Sequence, residues 1–346
     1  MPKSPDFLCL SLSPIELSGP WIALATARAG GVGLLDAEYC HADALSIASE
    51  NLARLLAATG PGQLIGLRLP SGQIPSVLDQ LLRPLAQRPH WLVLTQWEAA
   101  TLSERLLALP ACPGRTLLLD VRDTAQLAGL DPALVDGLVA RGSESGGWVG
   151  EDSSFVLTQK LLAASALPVY VQGGIGIGTA AACRGAGAAG VVLEETLYLM
   201  PESPFPASWR EIMAACSVQD TRLVGDSPAV RVLERPGCDA VDALVRIAAR
   251  CEDADGDAWR VGAAPILGWG DPASHAWPVG QAIGLAGSCA AEYRTVGRYL
   301  EALRTHSRDH VERARRLPAI TADGPLAAAH RTRYPIVQGP MTRVSD

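Results

Sequence analysis

Short continuous apolar runs alternate with amphipathic stretches over the first two hundred residues. The runs read as strands: "FLCLSL" (7–12), "VGLLD" (32–36), "QLIGLRL" (63–69), "HWLVLTQ" (90–96), "RTLLLDV" (115–121), "DGLVAR" (136–141), "LPVYVQG" (167–173) and "AGVVLEE" (189–195). Between them, "PWIALATARAG", "ADALSIASENLARLLAATG", "PSVLDQLLRPLAQ", "AATLSERLLAL", "SSFVLTQKLLAAS" and "GTAAACRGAGA" carry helical spacing, and several of these segments end at glycine. Strands that are apolar throughout belong to a parallel sheet covered on both faces. Eight strand–helix units predict a (β/α)8 TIM barrel, with a doubly wound open sheet as the alternative. Two features favour the barrel. No G-x-G-x-x-G follows the first strand, as a dinucleotide-binding sheet requires, and the glycine-rich turn comes after the seventh.

The pattern changes near residue 203. "PESPFP" is a proline-rich break, and denser charge follows. The Gly/Pro/Trp-rich stretch 266–287 leads into an apolar helix, and "AEYRTVGRYLEALRTHSRDHVERARR" predicts one long helix. The expected organisation is a barrel over 1–203, a helical C-terminal subdomain over 204–317, a linker over 318–333, and a new strand and turn at 334–346.

Composition narrows the class. Of 346 residues, 48% are apolar and 5% aromatic, which favours Ala/Leu-rich helices on a sheet over an aromatic-rich sandwich. A net charge of −7, without a basic run interleaved with aromatics, argues against nucleic acid; Arg313, Arg315 and Arg316 read as a solvated helix end. Eight cysteines include no C-x-x-C pair, so metal-site spacing is absent. No run reaches the roughly 18 apolar residues of a membrane span. These traits predict a cytoplasmic protein with reduced thiols and no membrane contact.

Two loops could carry chemistry. In "VQGGIGIGTAAACRGAGAAGVVLEE", Gly173, Gly174 and Gly176 lie between a strand and a helix start. Backbone amides there could approach a phosphate, or the glycines could serve a tight turn alone. "ARGSESGGWVGEDSS" (140–154) follows the sixth strand and offers Ser143, Glu144, Ser145 and Trp148 to the barrel mouth. Asp36, Asp120 and Gln172 close their strands and are expected to point to the same face. The six histidines form no set.

"GSESGGWVG" (142–150), "LPVYVQGGIG" (167–176) and "GAGAAGVVLEE" (185–195) together resemble the flavin-dependent nitronate monooxygenases, formerly called 2-nitropropane dioxygenases. They also resemble the related FMN-dependent enoyl reductases of fatty-acid and polyketide assembly. "GWGDPASHAWPVGQAIGLAG" (268–287) is similar to the form carried by large polyketide or polyunsaturated-fatty-acid synthases. The resemblance implies an oxidoreductase module of a multienzyme, acting on an acyl-carrier-bound substrate. FMN would be held by Gly146, Gly147, Gln172, Gly173, Gly174 and Gly176, with Ser143 and Glu144 as catalytic candidates facing its ring. "YPIVQGPMTRVSD" (334–346) resembles the first strand of a second barrel of this type, which makes downstream modules the expected partners.

The motifs also depart from that family. Ser13-Pro14 replaces the Q-[AG]-P-M turn, Ser143 the catalytic histidine, Trp148 the motif's second histidine, and Glu194-Glu195 the glycine–threonine turn after the eighth strand. An unaided serine hydroxyl is no general base. Two carboxylates beside a phosphate would repel it by about 1 kcal/mol or more each. A second reading is therefore a barrel without flavin that serves as a structural or docking partner. A third is a carbohydrate- or phosphosugar-processing barrel.

Overall fold

The computed structural model describes residues 7–226, 228–251, 256–316 and 321–336. Its centre is a closed barrel of eight parallel strands, ordered β1 (Leu8–Pro14), β2 (Val32–Asp36), β3 (Leu64–Pro70), β4 (Trp91–Thr95), β5 (Thr116–Val121), β6 (Gly137–Arg141), β8 (Val169–Gln172) and β9 (Gly190–Leu193), with β9 returning to β1. The open-sheet alternative is excluded. In register, Leu12 pairs with Leu34, Leu34 with Gly66, and Asp120 with Val139.

Side chains on these strands alternate between the barrel axis and the helical shell. Leu10, Leu12, Val32, Leu34, Val93, Leu118, Val139 and Val192 fill the interior, with Trp91 set edge-on to Tyr170 at 5.8 Å. The outward residues pack against helices in two further clusters, one around β3–β6 and one joining β1, β8 and β9 to the C-terminal helices. Along the same inward rows, the last position changes character. Asp36, Arg68, Thr95, Asp120, Arg141 and Gln172 follow the apolar residues at the carboxyl ends of their strands, and all are buried.

The C-terminal region is helical, as predicted, with additions. A three-stranded sheet lies beside the barrel mouth, formed by β7 (Gly147–Val149), β10 (Thr221–Val224) and β11 (Ala229–Leu233). The apolar helix and the long helix expected here are both present, but their boundary is shifted. Ile283–Tyr293 takes in the first residues of the stretch predicted as the long helix, which runs Val296–Arg316, because Arg294 takes a left-handed conformation (φ 63°) that stops the first. The segment predicted as one helix over 75–87 is broken into short pieces with a π-helical turn at Leu78–Leu82. Pro84, just beyond, lacks the N–H that would continue the α-helical ladder. Among the described residues no helix is long and apolar enough to cross a membrane. The proposed second-barrel strand lies, from residue 337 onward, outside the described residues.

Candidate active site at the barrel mouth

The ends of six strands deliver one connected set of charged and polar groups. Arg68, from β3, forks onto Asp36 at the end of β2, with Nε–Oδ1 2.9 Å and Nη2–Oδ2 3.0 Å. Its Nη2 also donates to Glu38 at 2.6 Å, and its Nη1 to the Gln172 carbonyl oxygen at 3.3 Å. Arg141, from β6, donates to both carboxylate oxygens of Glu38 at 2.9 and 2.8 Å. Glu38 thus bridges the two arginines over the barrel axis. Gln172 donates in turn to Glu194 at 2.7 Å, and Asp120 lies 3.6 Å from Arg141. The side chains of Arg68, Arg141, Glu38 and Asp120 are no more than 2% exposed.

Shut away from water, these groups polarise one another. Burial pushes the Glu38 carboxyl up, but Arg141 and then Arg68 outweigh it and hold it below its usual range. Burial and then the neighbouring Glu195 push Glu194 up to about 8. Burial raises Asp120 too, against the pull of Arg141. Near neutral pH, Glu38 is the anion that both arginines share, and Glu194 retains its proton.

A second layer closes over this one. Loop 142–150 is held from below by Arg141, whose Nη2 donates to the Gly146 carbonyl, and by the Tyr39 hydroxyl, which accepts from Trp148 N at 3.0 Å. Gly147 has φ 75°, and a Cβ there would overlap the Tyr39 hydroxyl. From above, 277–282 lies against the loop. A Cβ on Gly146 would meet the Pro278 carbonyl, and one on Gly280 the Glu144 carbonyl. Gln281 N donates to that Glu144 carbonyl at 2.8 Å, and Gly280 N to the Glu195 carboxyl at 2.6 Å. Both glycine-rich stretches are therefore used for close approach of the chain to itself.

The sequence-derived residues fall into three groups. Gly173 (φ 111°) and Gly174 (φ 65°) adopt the left-handed backbone that glycine permits, and Gly176 starts the helix Ile177–Ala186 without a side-chain cap. Space over this bend is narrow: a Cβ on Gly173 would lie 2.7 Å from Ser145 Oγ, and one on Gly176 3.0 Å from a Leu285 methyl. Gln172 sits inside the ion layer, and Gly146 and Gly147 sit in the loop covering it. Glu144 is turned to a structural contact: its carboxylate accepts from Ser154 N at 2.8 Å, at the start of the helix Ser154–Ala164. The Ser143 backbone carbonyl accepts from Arg231 at 2.6 Å.

The ion layer does not suit a flavin ring on the barrel axis, because Asp36, Arg68, Glu38, Arg141, Gln172 and Glu194 meet there. The glycine bend beside it is less crowded, with open space at Gly178. A cavity at the mouth, bounded in part by Glu38, Gln73, Gln96 and Trp148, measures about 140 Å3. Sequence reading missed Arg68, Arg141, Glu38 and Tyr39. The signal was present in "LIGLRLP" and "GLVARG", where one arginine interrupts an apolar strand at an inward position.

No protein-family model and no curated protein matches the sequence. Solved structures do match its architecture. FabK from Thermotoga maritima is 22% identical, with a TM-score of 0.69 over 90% of this chain and 95% of its own. Nitroalkane oxidase from Streptomyces ansochromogenes is 20% identical, with a TM-score of 0.61 over 88% and 96%. The enoyl reductase domain of MlnA, from the macrolactin biosynthesis cluster of Bacillus amyloliquefaciens, is 11% identical, with a TM-score of 0.66 over 90% and 96%. The chain shares its fold with these proteins. The likeness covers the barrel and most of the C-terminal region together, so the fold-level resemblance read from the motifs holds over nearly the whole chain.

Proposed function

We propose that the chain is a barrel of the enoyl reductase and nitronate monooxygenase type that serves a polyketide or fatty-acid synthase as a non-catalytic structural or docking module. The observation that carries this reading is the Arg68–Glu38–Arg141 bridge, which fills with the chain's own side chains the position where such an enzyme would hold FMN. The departures in the motifs agree with it. Ser143 stands where a general base is needed, and Glu195 takes an amide beside the place a phosphate would occupy. The synthase setting is supported by the likeness to the MlnA domain and by the resemblance of 268–287 to synthase-borne forms. The partners would be downstream modules, with an acyl-carrier-bound substrate handled by them.

One observation favours a flavin-dependent oxidoreductase instead: the Gly173-Gly174 bend and uncapped helix start keep the backbone of a phosphate site. A turnover assay separates the two. With FMN and NAD(P)H supplied, the chain is expected to oxidise neither the nicotinamide in the presence of an enoyl thioester nor a nitroalkane in air, beyond the protein-free rate. Saturable turnover of either substrate would remove the non-catalytic reading.

A further inference from the structure

At the opposite, amino-terminal end of the barrel, the start of β1, the turn before β2 and two helices enclose a cavity of about 380 Å3, within the usual range for a small ligand. Arg184, Arg304 and Arg308 line it, with Thr305, Phe7 and Gly30; no carboxylate is among its lining residues. In a chain of net charge −7 this is a local excess of cations, with one exposed carboxylate, Asp309, beside Arg308.

Each guanidinium is positioned, and donors remain unused. Arg184 Nη1 donates to Ser307 Oγ at 3.4 Å, and its guanidinium lies 5.6 Å from the Phe7 ring. Ser307 is fully buried and donates to the Arg304 carbonyl, which ties the two arginines to one helix turn. Arg304 Nη1 donates to the Ala29 carbonyl at 2.8 Å and the guanidinium interacts with the buried Cys9 thiol, whereas its Nη2 meets no hydrogen-bond geometry with any group. Among the described residues Arg308 pairs with the exposed Asp309, at 3.4 Å. Among the described residues neither Arg184 nor Arg304 forms an ion pair. Three guanidinium forks lining one cavity, two of them without an ion pair among the described residues, suit a compact, multiply charged oxyanion, whose oxygens can each accept from a different arginine.

We propose that this cavity is a binding site for a phosphate group, separate from the barrel mouth and independent of whether the mouth binds flavin. Calorimetric titration with inorganic phosphate and with glycerol 3-phosphate, at constant ionic strength set by chloride, tests it. One saturable site is expected. Arg308→Gln should weaken it about tenfold, as loss of one charge-assisted donor does, and the Arg184→Gln/Arg308→Gln double variant should abolish it. Binding of both probes assigns the site to the phosphate group itself, and binding of the ester alone to a phosphate monoester; either supports the proposal. No saturable heat from either probe, or equal affinity in the wild-type chain and Arg308→Gln, would overturn it. Arg308 is exposed, so the single variant is expected to fold even if the double one does not.

Discussion

Glu38 is the residue on which the mouth of the barrel depends. One carboxylate bridges two buried arginines, and removing its charge leaves Arg141 with only the Asp120 carboxylate at 3.6 Å and Arg68 with Asp36 alone as a close carboxylate partner. Breaking a buried pair costs roughly 3–5 kcal/mol, so Glu38→Gln should lower the unfolding free energy extrapolated from urea denaturation by about that amount, although its shape and one acceptor survive. Glu234, paired with Arg222 at half-exposed positions, is the contrast. Glu234→Gln should change stability by no more than about 0.5 kcal/mol. The protonated carboxyls give a second test at this scale. Burial, and for Glu194 also Glu195, raises Glu16 and Glu194 to about 8. An unfolded chain ionises both near their ordinary value, so between about pH 5 and 8 the folded state binds more protons and its stability falls as pH rises. The slope is at most about 1.4 kcal/mol per pH unit for each group. Melting temperature followed from pH 5 to 8 should decline, and Glu16→Gln with Glu194→Gln should flatten the decline. A rising curve would mean that these carboxyls are ionised in the fold. Glycines separate by conformation as well. Gly147→Ala must displace the Tyr39 hydroxyl at a positive φ and should cost several kcal/mol, whereas Gly178, with open space around it, should accept alanine with a gain of about 0.4–1 kcal/mol.

Among elements, the eight barrel strands were legible because each is an unbroken apolar run flanked by turns, the pattern of a strand covered on both faces. The side sheet was not. β7 contributes three residues from inside a glycine-rich loop, and β10 and β11 read as charged, broken stretches; the pairing of β11 with β7 depends on contacts 80 to 84 residues apart in sequence. The candidate site was half legible for the same reason. Position along a strand identifies Asp36, Asp120 and Gln172 as mouth residues. It does not reveal that Arg68 and Arg141 reach across the axis, because the partner they share, Glu38, comes from a loop. β7 also explains a substitution in the motif. Trp148 pairs with Val230 of β11 and packs edge-on at 5.5 Å against Trp259 of the helix Gly256–Ala263. The Trp259 indole N–H donates to the Pro228 carbonyl just before β11, so Trp148 fastens the loop to the side sheet. Trp148→Ala should cost about 3–5 kcal/mol and should speed amide hydrogen exchange across 142–150 and 229–233 together. Exchange confined to one of those segments would show that the sheet does not act as a unit.

Across the whole molecule, one architecture carries two opposite demands on its open end. A barrel that binds a cofactor leaves the carboxyl ends of its strands available, and the layer there is shaped by the ligand. Here the same layer is completed by the chain: two arginines are neutralised by carboxylates from neighbouring strands and the loop after β2, and two glycine-rich segments are pressed together above them. The fold shared with FabK, nitroalkane oxidase and the MlnA domain persists because the apolar layers below and the helical shell outside do not depend on what occupies the mouth. Equilibrium titration of the purified chain with FMN, read by flavin fluorescence and the visible flavin band, tests this account most directly. The expected result is free-flavin fluorescence at every protein concentration and a colourless protein after gel filtration. Saturable quenching with one FMN retained per chain would show that the Arg68–Glu38–Arg141 layer yields its place to the cofactor, and would contradict the account.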